Sequence, residues 1–462
     1  MTERALAKVL GYFVFWSSTA RQRFRELSLE KLRRIRKFIF YRSFIAVPRS
    51  EGDRLIECRL RLFGVHVYTY RRQRSKYRVA LLVDEFFGGW DTAIGGYGAL
   101  ARKYVCKYIP NDKIEIDLLL NIHDGIEIKS KLVDQTMLYC LPRDRVDRQK
   151  WLEKQAYNLF LSIEMTEASF KILSEYQAET KLLYWIQDPR ELKMYQSRLQ
   201  TVNRLKDDDW SYLKDVSLWM GRMMRSNRVL YISQGESLSA IASALYKIPE
   251  GMPIKELNNP VEIDFSYQLE VPPKTNKIIF LGRLEAQKRV WMFCEIARAM
   301  PGYEFYVLGA TGKGRDEAGN SQALAAYRNA DGTSKIPNLF FTGHVDGEVK
   351  NNHLRTAKLL LNTSIWEGIP VSWLEALSFG TLIVSAFERD NIVGRFGTFV
   401  GEVMGNGTEE ADLLKFTTSI EYWMTHDAER KDAALQAIKF VRERHAIPVF
   451  IERMRSEILG AI

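Results

Sequence analysis

Five short apolar runs, each followed by a loop and an amphipathic stretch, dominate the second half of this 462-residue chain. They are Lys277–Leu281, Glu304–Leu308, Leu339–Thr342, Leu359–Asn362 and Leu382–Ser385. Strands that alternate with helices imply a parallel α/β sheet covered on both faces. Such sheets bind ligands beyond the carboxyl ends of their strands. Arg283, Lys288, Gly343, Glu367 and Glu375 all follow strand ends or lie near them.

The densest of these segments runs from Ser364 to Gly380 and reads as loop, helix and stop. Pro370 suits a first helical position, where its missing N–H removes nothing. Leu374 and Leu377, with Trp373 and Ala376, form an apolar helical face. Gly380 is placed to end the helix in a left-handed turn. The helix start leaves free N–H groups at Val371 and Ser372, and the helix dipole adds positive character there, which favours a phosphate. Gly368 allows close approach to the backbone. From Pro370 to Glu375 the helix rises roughly 7–8 Å, about the reach from a distal phosphate to a ribose. One of the two carboxylates, Glu367 and Glu375, can then accept hydrogen bonds from a sugar while the other accepts them from a ribose. An ordinary capped helix with two surface glutamates fits the spacing equally well.

The pattern of two glutamates seven residues apart, with Gly-Ile-Pro after the first and Glu-Ala-Leu-x-x-Gly around the second, resembles the signature of family-4 retaining glycosyltransferases of the GT-B fold. Phe280-Leu281-Gly282-Arg283-Leu284-Glu285-Ala286-Gln287-Lys288 resembles that family's strand-Gly-Arg-loop-Lys segment. Asn338 to Val345, with Gly343 and His344, resembles its base-side loop, and Asn259-Pro260-Val261 its interdomain junction. The likeness is firm over about residues 258–445 and loose over 77–257.

The resemblance implies two Rossmann-like domains facing across a cleft, with a nucleotide-diphosphate sugar as donor substrate, no cofactor and no metal. It assigns catalysis to Arg283, Lys288 and Glu367. Donor contacts fall to Gly282, Gly343, His344, Val345, Gly368, Ile369, Pro370, Val371, Ser372 and Glu375. It also implies transfer to a hydroxyl with retention, by front-face attack. Arg283 forks onto phosphate oxygens and Lys288 adds a point charge. Other outcomes on the same fold are an epimerase, a hydrolase or a non-catalytic nucleotide-sugar-binding protein.

The first half supports a second Rossmann-like domain. Tyr77–Val83 reads as its first strand, and Gly95-Gly96-Tyr97-Gly98 opens a helix running to Tyr108. In the resembled GT-B fold a glycine-rich loop at this place meets the donor phosphates and the acceptor, so the resemblance makes Gly95 and Gly96 candidates for that contact; a plain tight turn is the other reading. Ile114–Ile122, Asn158–Ile163, Lys181–Ile186 and Arg228–Ile232 read as further strands. Gln187 and Asp188 stand where the resembled family often carries a histidine near the transferred sugar, which leaves the donor sugar open. Asp207-Asp208-Asp209 reads as an acidic helix start rather than a metal site.

The expected domains are an arm and linker over 1–76, an acceptor-side domain over 77–262, a nucleotide-sugar domain over 263–445, and a last helix over 446–462 that crosses back. Most of the net charge of +10 sits in the arm: residues 1–50 hold 12 Lys/Arg and 3 Asp/Glu, a balance of +9. Phe24, Leu27, Leu32, Ile35, Phe38 and Ile39 share one helical face opposite that charge. A basic amphipathic helix fits an anionic membrane surface, or docks on the protein's own body. With no nucleic-acid module beside it, nucleic acid is not an expected partner. No run reaches the ~18–20 apolar residues of a spanning helix. Four scattered cysteines, Cys58, Cys106, Cys140 and Cys294, suit a reducing compartment. The expected location is cytoplasmic, at the inner face of a membrane, with a glycan or lipid-linked acceptor.

Overall fold

The computed structural model describes residues 40–46, 55–62, 65–73, 76–86, 90, 95–176, 180–202, 211–263, 265, 269–311 and 322–462. The amphipathic stretch before Phe40 and the Asp207–Asp209 run lie outside these residues, as do Gly88 and Gly89 of the first loop. The chain divides into a small unit, residues 1–74 with 153–156, and a large unit formed by the rest.

The small unit contains a three-stranded antiparallel sheet, β1 (Phe40–Ala46), β2 (Leu55–Leu62) and β3 (Val65–Gln73), in that order. Two expectations change here. Phe40–Ala46 is strand rather than part of a helical arm, and Arg71–Gln73 continues β3 rather than forming a linker.

The large unit is built on two sheets. The first has the order β11-β10-β9-β8-β4-β5-β7-β6. Its central strands are β4 (Tyr77–Leu82), β5 (Ile114–His123), β8 (Leu159–Ile163), β9 (Lys181–Ile186) and β10 (Val229–Ser233), with β11 (Ile254–Glu256) at one edge. These strands are parallel. The other edge is a hairpin the sequence did not signal, β6 (Lys129–Val133) antiparallel to β7 (Thr136–Pro142).

The second sheet is parallel throughout, in the order β14-β13-β12-β15-β16-β17. Its strands are β12 (Lys277–Leu281), β13 (Glu304–Leu308), β14 (Leu339–Gly343), β15 (Leu359–Asn362), β16 (Leu382–Ser385) and β17 (Gly397–Phe399). Every residue of β15 and β16 is buried, as expected of short aliphatic strands covered on both faces. Trp373, Leu374 and Leu377 of the Val371–Ser378 helix are completely buried against this sheet. Each stabilises the lobe by about 1.5–3 kcal/mol.

Each sheet has one switch point, where the strand order reverses. In the first sheet it falls between β4 and β8, in the second between β12 and β15. Crevices that bind ligands form at such points.

The chain crosses between the two sheets' lobes twice. Asn258 to Val261 leaves the first lobe, and Val261 pairs with Ala446 where the chain returns. The Ile447–Ala461 helix then packs on the first sheet, with Phe450, Met454 and Ile458 in the core beside Leu81 and Leu183. The Phe450 ring stacks on Trp185 at 5.6 Å. Arg455 donates to the carbonyls of Tyr108 and Ile109 at 2.6 and 3.1 Å. The Tyr212–Arg225 helix turns Val216, Trp219, Met220 and Met223 into the core.

Candidate active site

The second lobe's switch point assembles its charged residues through a backbone zipper. After β12 the chain forms a short 3₁₀ turn, Ala286–Lys288, and after β15 it enters the 363–370 loop. Thr363 Oγ1 donates to the Lys288 carbonyl at 2.7 Å. The Ile365 amide donates to the Gln287 carbonyl at 3.0 Å, and Gln287 Nε2 donates to the Trp366 carbonyl at 2.7 Å. Between the two loops lies Arg289, wholly buried and left-handed (φ +48°). Its guanidinium donates to the carbonyls of Thr363, Val403 and Gly405 at 2.7, 2.7 and 2.9 Å. Burial lowers its pKa to about 10, although the charge of Asp412 opposes the shift. Sequence reading passed over this residue, which sits one position beyond the recognised Lys288.

The zipper brings Lys288 Nζ onto Glu367 Oε1. Both side chains are mostly buried, at 19% and 10% exposure. Arg283 pairs with Glu285 at 2.9 Å and reaches Glu85 of the first lobe at 3.6 Å. Glu375, inside the helix, accepts from Lys350 at 2.6 Å. Lys350 also faces Asp346, which takes Lys103 of the first lobe at 2.7 Å. Each expected cation thus sits beside a carboxylate.

The helix start differs by one position from expectation. Pro370 is the residue before the helix, extended at φ −65° and ψ 132°, and Val371 is the first helical residue. Pro370 supplies no side-chain cap, and the first turn holds no acidic residue. Val371 and Ser372 are half-buried there. Gly380 ends this segment at φ +68°, as its position suggested.

Gly343 turns out of β14 at φ +73° and holds His344 exposed and Val345 half-buried. The tightest backbone approach near β12 is at Gly309, where a Cβ would lie 1.9 Å from the Gly282 carbonyl oxygen. A Cβ on Gly282 itself would meet only ordinary contacts.

The first lobe contributes Glu85, just beyond β4, which the sequence reading did not single out. A Cβ on Gly95 would fall 2.0 Å from its carboxyl oxygen, and one on Gly98 would fall 3.0 Å from its backbone. The glycine pair makes room for a carboxylate. Gly96 is exposed, with open space around it.

Gln187 and Asp188 are placed differently from a sugar-facing pair. Both are buried. The Gln187 amide exchanges two hydrogen bonds with Asn259, at 3.0 and 2.9 Å. Asp188 Oδ1 accepts from Trp366 Nε1 at 2.7 Å, and its other oxygen pairs with Arg190 at 2.6 Å. Glu164, beyond β8, accepts from the Gln187 and Asp188 amides at 3.0 and 2.6 Å and from the Tyr184 hydroxyl. Burial raises its pKa, although these donors oppose the rise. Gly368 likewise faces protein: a Cβ there would lie 2.3 Å from the Gln187 carbonyl oxygen. Ile369 is buried, with its Cδ1 close to Gly235 of the first lobe. These residues join the lobes.

Among the described residues no group of three or more His, Cys, Asp or Glu is placed to hold a metal ion. None of the described helices is long and apolar enough to cross a membrane.

Residues 275–401 match the family model of glycosyl transferases group 1. No curated protein matches the chain by sequence. Solved structures do match by fold. Sucrose-phosphate synthase from Thermosynechococcus elongatus aligns over 84% of this chain and all of its own, at 12% identity and TM-score 0.60. HepE of Anabaena in complex with UDP-glucose aligns over 83% and 100%, at 12% identity and TM-score 0.56. The lipopolysaccharide outer core galactosyltransferase WaaB aligns over 83% and 100%, at 14% identity and TM-score 0.53. The chain therefore has the GT-B fold, its second lobe matches glycosyl transferases group 1, and together these findings support glycosyl transfer.

Proposed function

We propose that this protein moves a sugar from a nucleotide-diphosphate donor to a hydroxyl acceptor with retention, in the manner of family 4. The observation that carries the reading is the joining of Lys288 to Glu367 beside Arg283, at the switch point of the second sheet. Arg283 and Lys288 then receive the diphosphate, and the amides of Val371 and Ser372 add fixed dipoles. Once phosphate oxygens take Lys288, Glu367 is released to accept from sugar hydroxyls. By the same exchange Glu375 leaves Lys350 and accepts from the ribose. The carbon–oxygen bond to the diphosphate breaks as the acceptor oxygen bonds to the same carbon on the same face. The acceptor proton passes to the departing phosphate.

The reading extends to place. Residues 1–50 carry the basic, aromatic stretch that suits an anionic membrane surface, and a lipid-linked or glycan acceptor would be met there. Flotation with vesicles containing anionic lipid checks this: the full chain binds and a chain lacking residues 1–50 does not. Equal binding of both removes the arm's role.

Product analysis with nucleotide sugars labelled in the hexose tests the chemistry. UDP-hexoses come first, since HepE is described with UDP-glucose. A glycoside of unchanged anomeric configuration supports the proposal. Free sugar or an isomer points to a hydrolase or epimerase.

A further inference from the structure

Glu85 is a carboxylate with little to hold it. It lies just beyond β4, on the first lobe's side of the cleft, with its side chain 12% exposed. Gly95 and Gly98 leave the slot it occupies. The Gly98 amide donates to one oxygen at a long 3.4 Å, and Arg283 stands 3.6 Å from the other. The same guanidinium is closer to Glu285, at 2.9 Å. Among the described residues, the charged and titratable groups that face Glu85 are Arg283 and Glu285 from the β12 loop, Asp84 beside it in the chain, and Tyr97 from the helix. Among the described residues, Arg283 is therefore shared between Glu85 and the closer Glu285.

A diphosphate on Arg283 would enter this group as a competitor. It would take the guanidinium from Glu85 and bring two further negative charges towards it. A largely buried carboxylate that loses the one cation beside it among the described residues is stabilised by protonation. We propose that Glu85 takes up a proton when a nucleotide sugar binds, and then faces the bound diphosphate as a neutral hydrogen-bond donor. This inference rests on the reading that Arg283 receives the donor's diphosphate. Burial already raises the Glu85 pKa to about 7, with Arg283 opposing the rise, so the uptake falls near neutral pH. The donor itself is silent there, because a diphosphate esterified at both ends does not titrate near neutrality.

Titration calorimetry with UDP-glucose, UDP-galactose, UDP-N-acetylglucosamine and GDP-mannose, each at pH 7.5 in two buffers of different ionisation heat, tests it. The wild type should absorb most of one proton per donor bound, and its affinity should weaken about tenfold from pH 6 to pH 8. Glu85→Gln, which mimics the protonated acid in shape and hydrogen bonding, should bind without proton uptake and with a flat pH profile. A Glu85→Gln protein that keeps the wild-type slope, or a wild type that absorbs no proton, overturns the proposal while leaving the donor site intact. Failure of both proteins to bind any of these nucleotide sugars overturns the donor reading and this proposal with it.

Discussion

The indole N–H of Trp366, in the second lobe, donates to Asp188 of the first lobe at 2.7 Å. Trp366 is the residue before Glu367, so the interlobe contact and the proposed sugar contact share one stretch of backbone. The guanidinium groups of Arg198 and Arg389 lie over its ring at 5.6 and 5.4 Å, with Tyr195 edge-on at 5.4 Å. Trp366→Phe keeps most of the packing and removes the donor to a buried carboxylate. The expected loss is about 1.5–3 kcal/mol of stability, with kcat/KM falling as Glu367 loosens. Calorimetric melting and donor kinetics measure the two effects.

Gly368→Ala should harm the protein where Gly96→Ala does not. The new methyl at position 368 would lie 2.3 Å from the Gln187 carbonyl oxygen, a backbone atom that cannot turn away. Overpacking of this kind costs about 1–3 kcal/mol. At position 96 nothing lies within 4 Å, so stability should be unchanged. Melting temperatures of the two variants provide the comparison.

Arg289→Met should unlock the two loops that carry Lys288 and Glu367. It fills similar volume but strands the carbonyls of Thr363, Val403 and Gly405 without their donor. Each unsatisfied buried group costs about 1–3 kcal/mol. Denaturant unfolding should show a loss of several kcal/mol, and whatever protein remains folded should transfer sugar poorly.

His445 predicts acid sensitivity. The ring is buried at the return crossing and its Nδ1 donates to the Asn259 carbonyl at 2.8 Å. Burial depresses its pKa from 6.5 to about 4, although that hydrogen bond favours the charged form. The folded state therefore binds the proton less readily than the unfolded chain. The stabilisation from the neutral ring is fully present above pH 6.5 and is lost as pH falls towards 4, by roughly 3 kcal/mol in all. Stability measured from pH 7 to 4 should fall with this slope, and His445→Gln should flatten it.

Much of the second lobe was legible because its strands are continuous aliphatic runs with sharp ends. Lys277–Leu281 and Leu382–Ser385 have the same bounds in sequence and structure. Arg283, Lys288 and Glu367 gather because their loops leave neighbouring strands at a reversal of strand order. The β6–β7 hairpin escaped notice because Lys129–Val133 is polar and largely exposed, with no apolar period to mark it. Gln187 and Asp188 illustrate a deeper limit. A polar strand end facing a ligand reads the same as one facing another lobe, and only tertiary contact distinguishes them. Glu85 and Lys350 carry no local pattern, since their partners lie 198 and 25 residues away in the chain.

The proposed function requires a diphosphate held between Arg283 and Lys288, with Glu375 on the ribose. A crystal structure with a bound nucleotide sugar tests this most directly. The predicted result places phosphate oxygens on Arg283 and Lys288 and ribose hydroxyls on Glu375, with Glu367 turned from Lys288 to the sugar. A nucleotide bound elsewhere, with the Lys288–Glu367 and Lys350–Glu375 pairs unchanged, would contradict it.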